Sequence, residues 1–284
     1  MKLLKSIYIG LLIPSLILLT GLIVYGFYHD GFTLNWLGSA LTCVPFLLFM
    51  LRAVIFQNQP RTNPNIPIVT GLVLVGITIS LFAYINKETI EDLSIYALFT
   101  SLIASLLLFL FIGWFSWLDR TKSPSLKKGG QLPEFKFWGD ETITNSNQLL
   151  GKPAVIIFYR GNWCPFCVAQ IKEVVSGYQQ AIYSGVQFIL ISPQPDKITK
   201  KMAQKFDVPF MFLTDIENAA AKKLGIIDKN GLPLGLADQG FENSTVYPTV
   251  IVTDKDGKIL YCDQTENYRI RPDAKEYLQL VVNN

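Results

Sequence analysis

Charge is scarce in this chain. Only 17% of its 284 residues are Asp, Glu, Lys or Arg, where a soluble globular chain carries about a quarter. That deficit argues against a simple cytosolic enzyme. Half the residues are hydrophobic and the mean hydropathy is +0.32, which excludes disorder, a state of low hydrophobicity and high charge. The net charge of +3 is too small to mark a nucleic-acid binder. There are four cysteines and one histidine. Four cysteines do not make a disulfide-stapled scaffold of this size.

The scarcity is local. Residues 1–118 hold nine charged side chains: Lys2, Lys5, Asp30, Arg52, Arg61, Lys87, Glu88, Glu91 and Asp92. The other 38 lie in residues 119–284. Four uncharged stretches fill the first part: Ser6–His29, Gly31–Leu51, Thr62–Asn86 and Leu93–Leu118. A bilayer core of about 30 Å needs roughly 20 apolar residues as helix. Spans are expected near Ile7–Tyr28, Leu34–Phe56, Pro67–Ile85 and Ser94–Trp117. Pro14 and Pro45 are expected to kink the first two, which membrane helices tolerate. Four successive stretches without a charged face fit spans better than buried soluble helices. A cleaved signal peptide fits the first stretch poorly, because three more follow.

Orientation follows from the flanking cations. Lys2, Lys5, Arg52, Arg61, Arg120, Lys122, Lys127 and Lys128 fall on one side, and Lys87 alone on the other. The positive-inside rule then places both termini and the C-terminal half in the cytoplasm, at the inner membrane of a bacterium. The chain divides into a four-span region (1–118), a basic linker (119–130) and a soluble domain (131–284). The basic residues of the linker suit an anionic lipid surface.

In the soluble part, short apolar runs alternate with helical patterns, without internal repeats. Ala154–Tyr159, Val186–Ile191, Phe210–Leu213, Thr249–Thr253 and Ile259–Cys262 read as strands. Cys167–Ala181, Ile198–Phe206, Ala219–Leu224 and Pro272–Val282 read as helices. Asp254-Lys255-Asp256-Gly257 carries a hairpin signal. The expected fold is α/β, a mixed central sheet flanked by helices.

The sharpest local signal is Arg160-Gly161-Asn162-Trp163-Cys164-Pro165-Phe166-Cys167, between a buried strand and a helix. A C-x-x-C in that setting reads as a redox dithiol. Unpaired N–H groups and the dipole at a helix N-terminus stabilise an anion. Cys164 would sit there, its thiolate favoured below the free value of about 8.5. Cys167, one turn on, can resolve a mixed disulfide on Cys164. Pro165 suits the first helical position and stiffens the dithiol loop. A zinc half-site is the competing reading, yet zinc needs three or four ligands. The remaining candidates are Cys43 in a span, Cys262, better read as a structural thiol, and His29 in the first extramembrane loop. Two buried structural thiols are a second alternative. Pro248, in Tyr247-Pro248-Thr249, stands at a strand start, as an ordinary trans proline or as a cis one. Asn243-Ser244-Thr245 matches a glycosylation sequon by chance if the domain is cytoplasmic.

At these residues the chain resembles the thioredoxin superfamily, and more closely the peroxiredoxin-like AhpC/TSA (redoxin) family. Four blocks carry the resemblance: Gly129–Phe135, Phe158–Cys167, Gly185–Pro193 and Tyr247–Tyr261. It covers residues 129–283 and implies a thioredoxin-like fold with antioxidant activity. By it, Cys164 is the attacking thiolate, Cys167 the resolving thiol, and Pro248 the cis-proline facing the dithiol. Trp163, Pro165 and Arg160 complete the candidate catalytic set. The chain also departs from the family. The Thr or Ser expected three residues before the attacking cysteine is Gly161, and the arginine at the start of the final hairpin is replaced by Pro248. Those groups would stabilise charge developing on the peroxide. Arg160 either supplies that charge or is an ordinary surface or linker-pairing residue, and Arg269 and Arg271 are further candidates.

The implied function is a membrane-anchored thiol–disulfide oxidoreductase without metal or organic cofactor, reset by a dithiol reductant such as a thioredoxin-like protein. Its oxidant is a peroxide or a protein disulfide, and the two remain open. A different class, a membrane sensor or transporter regulated by the dithiol, is weakly supported, because no span holds an internal charge and Cys43 is alone there.

Overall fold

The computed structural model describes residues 2–57, 63–86, 93–139, 142–179, 183 and 185–282. Arg61 and Lys87, used above for orientation, lie outside the described residues, as do Glu88, Glu91 and Asp92. The chain separates into two compact units, divided between Trp117 and Leu118.

The first unit holds α1 (Lys2–Asp30), α2 (Leu34–Phe56), α3 (Pro67–Ile85) and α4 (Leu93–Leu110). All four reach the length and hydropathy needed to cross a membrane. Helix α1 runs beyond both expected ends, so Lys2, Lys5 and His29 are helical, and His29 is in its last turn rather than in a loop. Pro14 and Pro45 lie inside helices that continue through them. The fourth helix changes to a π-helical turn at Phe111–Phe115, short of the expected end at Trp117. Both the N–H and the hydroxyl of Ser116 bond to the Phe111 carbonyl.

Small residues let α2 and α3 touch at backbone level. A Cβ on Gly38 would lie 2.7 Å from the Gly76 carbonyl oxygen, and one on Gly76 would lie 2.6 Å from the Gly38 carbonyl oxygen. Beside that crossing, buried hydroxyls tie three helices together. Ser80 and Ser101 are 2.6 Å apart, Ser101 donates to Ser39 at 3.1 Å, and Ser39 donates to the Ala97 carbonyl at 2.7 Å. Close packing and interhelical hydrogen bonds are what hold helices together where apolar burial gives no net drive.

The second unit is built on a seven-stranded mixed sheet in the order β2-β1-β5-β4-β3-β8-β9. Its strands are β1 (Lys136–Gly139), β2 (Thr142–Asn145), β3 (Ala154–Phe158), β4 (Gln187–Ser192), β5 (Met211–Thr214), β8 (Thr249–Thr253) and β9 (Ile259–Asp263). Strands β3, β4 and β5 run parallel, and β1, β8 and β9 pair antiparallel to their neighbours. A separate two-stranded ribbon joins β6 (Ile227–Asp228) and β7 (Thr245–Val246). The helices are α5 (Pro165–Gly177), α6 (Asp196–Phe206), α7 (Ala219–Lys223) and α8 (Ala274–Val282).

Strand β3 shows why its residues form an unbroken apolar run. Val155 and Ile157 face a core shared with Val168, Ile171 and Val174 of α5 and Tyr277 and Leu278 of α8. Ala154, Ile156 and Phe158 face the opposite core with Ala220, Ala221 and Leu224. A strand covered on both faces has no solvent side to make polar. The hairpin over Asp254–Gly257 forms as expected, with the Asp254 carboxylate accepting from the N–H groups of Asp256 and Lys258. The hairpin β1–β2 and the ribbon β6–β7 were not expected. Strands of two to four residues carry too little alternation to be read.

Residues 119–130 lie along this unit. The Arg120 guanidinium donates to the Pro248 carbonyl and to the Thr249 hydroxyl, both at 2.8 Å, and to Gln264 at 3.2 Å. Gly129 and Gly130 exchange backbone hydrogen bonds with Ile259.

Candidate active site

Strand β3 delivers the chain to the dithiol, and α5 starts at it. Beyond Phe158, the Tyr159 N–H still bonds to the Ile191 carbonyl of β4. Arg160–Trp163 then form a short loop, and Cys164 is the N-cap of α5, extended at φ −90° and ψ 105°. Pro165 occupies the first turn, where its missing N–H costs nothing. The Cys164 carbonyl accepts from the N–H groups of Cys167 and Val168, both at 3.1 Å. One helical turn therefore brings the two sulfurs together, 2.7 Å apart and hydrogen-bonded. Both are buried, with Cys164 2% and Cys167 0% exposed. Among the described residues, no cluster of three or more His, Cys, Asp and Glu side chains is placed to hold a metal ion.

Three contacts hold the loop. The buried Gln194, just past β4, accepts from the Asn162 N–H at 2.9 Å, and its amide donates to the Tyr159 hydroxyl at 2.9 Å and to Thr199 at 3.3 Å. The Arg160 guanidinium donates to the Asp228 carboxylate at 3.2 Å and to the Gly231 carbonyl at 2.5 Å. It also lies 5.0 Å from the centre of the Trp163 ring. The Arg160 carbonyl accepts from the Thr245 hydroxyl at 3.1 Å. Arg160 is thus neither solvent-facing nor free to hold a peroxide. It clamps the loop to the ribbon, while its charge still lowers the Cys164 pKa from a distance.

The other expected site residues fall as follows. Trp163 is half-buried and packs against the core that contains both cysteines. Pro248 is buried one step beyond the Phe158–Thr249 pair, level with the end of β3. Its peptide bond is trans, against the expectation of a cis proline. The trans form is intrinsically favoured by about 0.5–1 kcal/mol. Here Pro248 simply carries an extended chain from β7 into β8, with the Thr249 hydroxyl bonded to the Tyr247 carbonyl. Cys43 is buried in α2, and Cys262 is half-buried in β9 with its thiol pushed up to about 11 by burial.

Arg271 is the residue whose place sequence reasoning understated. It is 4% exposed, and its Nη2 lies 3.5 Å from the Cys167 sulfur. Burial pushes both thiols up. At Cys167 that is outweighed by the hydrogen bond with Cys164, the Arg271 guanidinium and the backbone N–H of Arg160, so its pKa falls below the ordinary thiol range. Cys164 stays raised, by burial and by the neighbouring Cys167. Two thiolates this close would repel, so the pair carries one negative charge more readily than two.

Residues 129–262 match the sequence model of the AhpC/TSA family. They form an AhpC/TSA-family domain. Putative peroxiredoxin bcp of Coxiella burnetii (strain RSA 493 / Nine Mile phase I) is 28% identical over 123 residues, spanning 43% of this chain and 80% of its own. Peroxiredoxin Bcp of Bacillus subtilis (strain 168) is 24% identical over 159 residues, spanning 55% and 94%. Among solved structures, peroxidoxin BcpB from Mycobacterium tuberculosis aligns at 22% identity with a TM-score of 0.46, covering 55% of this chain and 96% of that one. The domain has the thioredoxin-like α/β fold, and it is that of a thiol-dependent oxidoreductase.

The AhpC/TSA domain departs from the expected pattern at Gly161 for a steric reason. Its φ is +149°, a region side chains rarely adopt. A Cβ there would lie 2.6 Å from the Trp163 indole nitrogen. The missing hydroxyl is therefore a consequence of how Trp163 packs over the loop.

Proposed function

We propose that this protein is a membrane-anchored, thiol-dependent peroxide reductase. The observation that carries the reading is the buried dithiol, with sulfurs 2.7 Å apart and the leading one only 2% exposed. A small hydroperoxide reaches such a sulfur with little movement of the loop, and a folded protein disulfide does not. Cys164 attacks one peroxide oxygen, so an S–O bond forms and the O–O bond breaks. Cys167 then attacks the sulfenic acid, an S–S bond forms, and the oxygen leaves as water. A thioredoxin-like dithiol partner returns the pair to thiols by exchange.

Four spans (residues 1–118) and a basic connection (119–130) anchor the redox domain (131–284), on the cytoplasmic side of a bacterial inner membrane. The arrangement of the cations supports that side. An export-dependent reporter fused to the C-terminus should be silent, and an active one would reverse the orientation.

The reading is tested by mixing the reduced full chain, in detergent, with hydrogen peroxide under stopped flow and following tryptophan fluorescence, to which Trp163 beside the dithiol contributes. Oxidation should far outrun that of free cysteine and vanish in Cys164→Ser. Cys167→Ser should stop at the sulfenic acid. A wild-type rate no faster than free cysteine refutes the proposal and favours protein-disulfide exchange, the reading to which the missing hydroxyl at Gly161 lends weight.

A further inference from the structure

We propose that the Trp163 indole N–H is the hydrogen-bond donor that meets the departing peroxide oxygen when Cys164 attacks. The inference deepens the peroxide-reductase reading and rests on it for its chemical step.

The geometry begins with the loop before α5. The Cys164 N–H donates to the Gly161 carbonyl at 3.2 Å, closing a turn over residues 161–164. The Trp163 ring lies back on that turn. A Cβ on Gly161 would be 2.6 Å from the ring nitrogen and 2.9 Å from the adjacent ring carbon. The space that a side chain would fill at position 161 therefore holds the edge of the indole that carries the N–H. The Arg160 guanidinium, 5.0 Å from the ring centre, steadies the ring. A cation over an indole also draws π density towards itself, which makes the N–H a stronger donor.

Trp163 is half-buried as a residue, but its nitrogen is shut off from solvent and has no hydrogen-bond partner among the described residues. Buried donors of a folded protein are almost always paired, so an orphan beside a reactive sulfur calls for an acceptor. The acceptors of the loop are engaged: the Gly161 carbonyl by the Cys164 N–H, and the Arg160 carbonyl by the Thr245 hydroxyl. Gln194 Oε1, 3.5 Å from the same Cβ position on Gly161, already accepts from the Asn162 N–H. Other donors are placed less well. Arg160 Nε is also buried without a partner, but its guanidinium is turned to the ribbon, to Asp228 and Gly231. Arg271 lies on the Cys167 side of the pair. The Trp163 N–H belongs to the residue next to Cys164, on a ring packed against the core that holds both sulfurs. Indole is a donor only, so it favours an oxygen that is gaining negative charge.

The step balances. The Cys164 thiolate bonds to one peroxide oxygen and the O–O bond breaks. The other oxygen leaves with the bonding pair as hydroxide. Negative charge grows on that oxygen in the transition state, and a fixed donor beside it lowers the barrier, because the hydrogen bond strengthens as the charge grows. The indole keeps its proton throughout. Cys167 then attacks the Cys164 sulfenic acid, an S–S bond forms, and the Cys167 proton leaves with the oxygen as water. One monoanionic dithiol and one hydrogen peroxide yield one disulfide, one water and one hydroxide. Two electrons pass from sulfur to oxygen.

The test compares two attacks by the same sulfur. The reduced full chain in detergent is mixed with hydrogen peroxide, and peroxide consumption is read in the first turnover. It is mixed separately with iodoacetamide, and alkylation of Cys164 is followed by mass spectrometry. Iodide, the leaving group there, accepts hydrogen bonds only weakly. Trp163→Phe keeps an aromatic ring on the turn and loses the N–H. It should slow peroxide consumption at least about tenfold and leave alkylation within about twofold of wild type. A ring that only positions the loop would slow both reactions together. The benzothiophene analogue of tryptophan at position 163, of the same bicyclic shape with sulfur in place of the N–H, should behave as Trp163→Phe does. It decides alone if near-ultraviolet circular dichroism shows Trp163→Phe to be misfolded. Peroxide consumption at the wild-type rate in either folded variant overturns the proposal, as does an equal slowing of both reactions. A wild type no faster with peroxide than free cysteine overturns the peroxide-reductase reading and this inference with it. A fast wild type with unchanged variants overturns this inference alone.

Discussion

Gly161→Thr restores the hydroxyl that the resemblance to peroxiredoxins leads one to expect, and it should damage the enzyme. A β-branched residue at φ +149° is strained, by roughly 1–3 kcal/mol. Its Cβ would also lie 2.6 Å from the Trp163 indole nitrogen and 2.9 Å from the adjacent ring carbon. Trp163 must then shift off Arg160, whose guanidinium is 5.0 Å from the ring centre. An exposed cation–π contact contributes about 0.5–1 kcal/mol. The total loss is about 1.5–4 kcal/mol. For a unit of this size each kcal/mol moves Tm by about 2–4 °C, so Tm of the redox unit should fall by roughly 3–16 °C.

The rate should fall as well, because Trp163 precedes the attacking sulfur and its displacement loosens the N-cap of α5. A displacement that raises the barrier by about 1.4 kcal/mol slows oxidation tenfold, and at least that is expected. Gly161→Ala separates the causes, since it adds the Cβ without the hydroxyl and should do most of the same damage. Both variants are read by thermal melting in detergent and by stopped-flow oxidation with hydrogen peroxide. A Gly161→Thr protein that melts with the wild type and reacts faster with peroxide would falsify the steric account.

Arg160→Met removes two charge-assisted hydrogen bonds, to Asp228 and Gly231, and should destabilise the redox unit by about 2–4 kcal/mol, seen as a lowered urea midpoint. An unchanged midpoint would mean the clamp is not formed in solution. Asp215 is fully buried and its pKa is raised to about 6, by burial against the opposing N–H groups of Ala221 and Ala220. Its folded pKa exceeds its unfolded one, so its contribution is fully present below about pH 4 and is lost as pH rises through about 6, roughly 3 kcal/mol in all. Asp215→Asn should flatten that part of the stability–pH curve, and a slope equal to wild type would exclude Asp215 as its source. In the helical unit, Gly76→Leu should cost about 1–3 kcal/mol by overpacking α2 against α3. Gly71→Leu, whose Cβ meets nothing within 4 Å, should melt like the wild type; equal losses in the two would locate the effect in the helix rather than in the crossing.

What the sequence made legible was local. The apolar runs of β3, β4 and β8 announce themselves because each is covered on both faces. The dithiol is legible because four consecutive residues, with Pro165 at the first helical turn, dictate how Cys164 and Cys167 meet. The helices α1–α4 are legible from the near-absence of charge. The rest depends on contacts between distant residues. Gln194 reaches the loop because β4 ends level with β3 in a parallel register, Phe158 beside Ile191. Arg271 lies 104 positions from the sulfur it contacts, and nothing near it in sequence mentions a thiol. Arg160 had several readings because its partner, Asp228, is 68 residues away on a two-residue strand. The trans bond at Pro248 is a property of the chain on either side of it, and the X-Pro dipeptide alone carries both isomers.

The two halves of a dithiol cycle place opposite demands on this loop. Oxidation by a small peroxide is served by the closed arrangement, in which Arg271 and the α5 N-terminus confront the sulfurs and water is kept out. In the proposed cycle, reduction brings in a second protein, whose thiolate approaches the Cys164 sulfur in line, and a sulfur that is 2% exposed offers no such path. That cycle requires the loop to open once per turnover. What holds it is polar and divisible: one hydrogen bond from Asn162 to Gln194, the Arg160 clamp, and an indole resting on a glycine. Each of the hydrogen bonds is worth about 1–3 kcal/mol, enough to keep the loop closed most of the time and small enough to be exchanged for contacts with a docked partner. A loop fixed instead by an apolar side chain at position 161 would gain no such exchange.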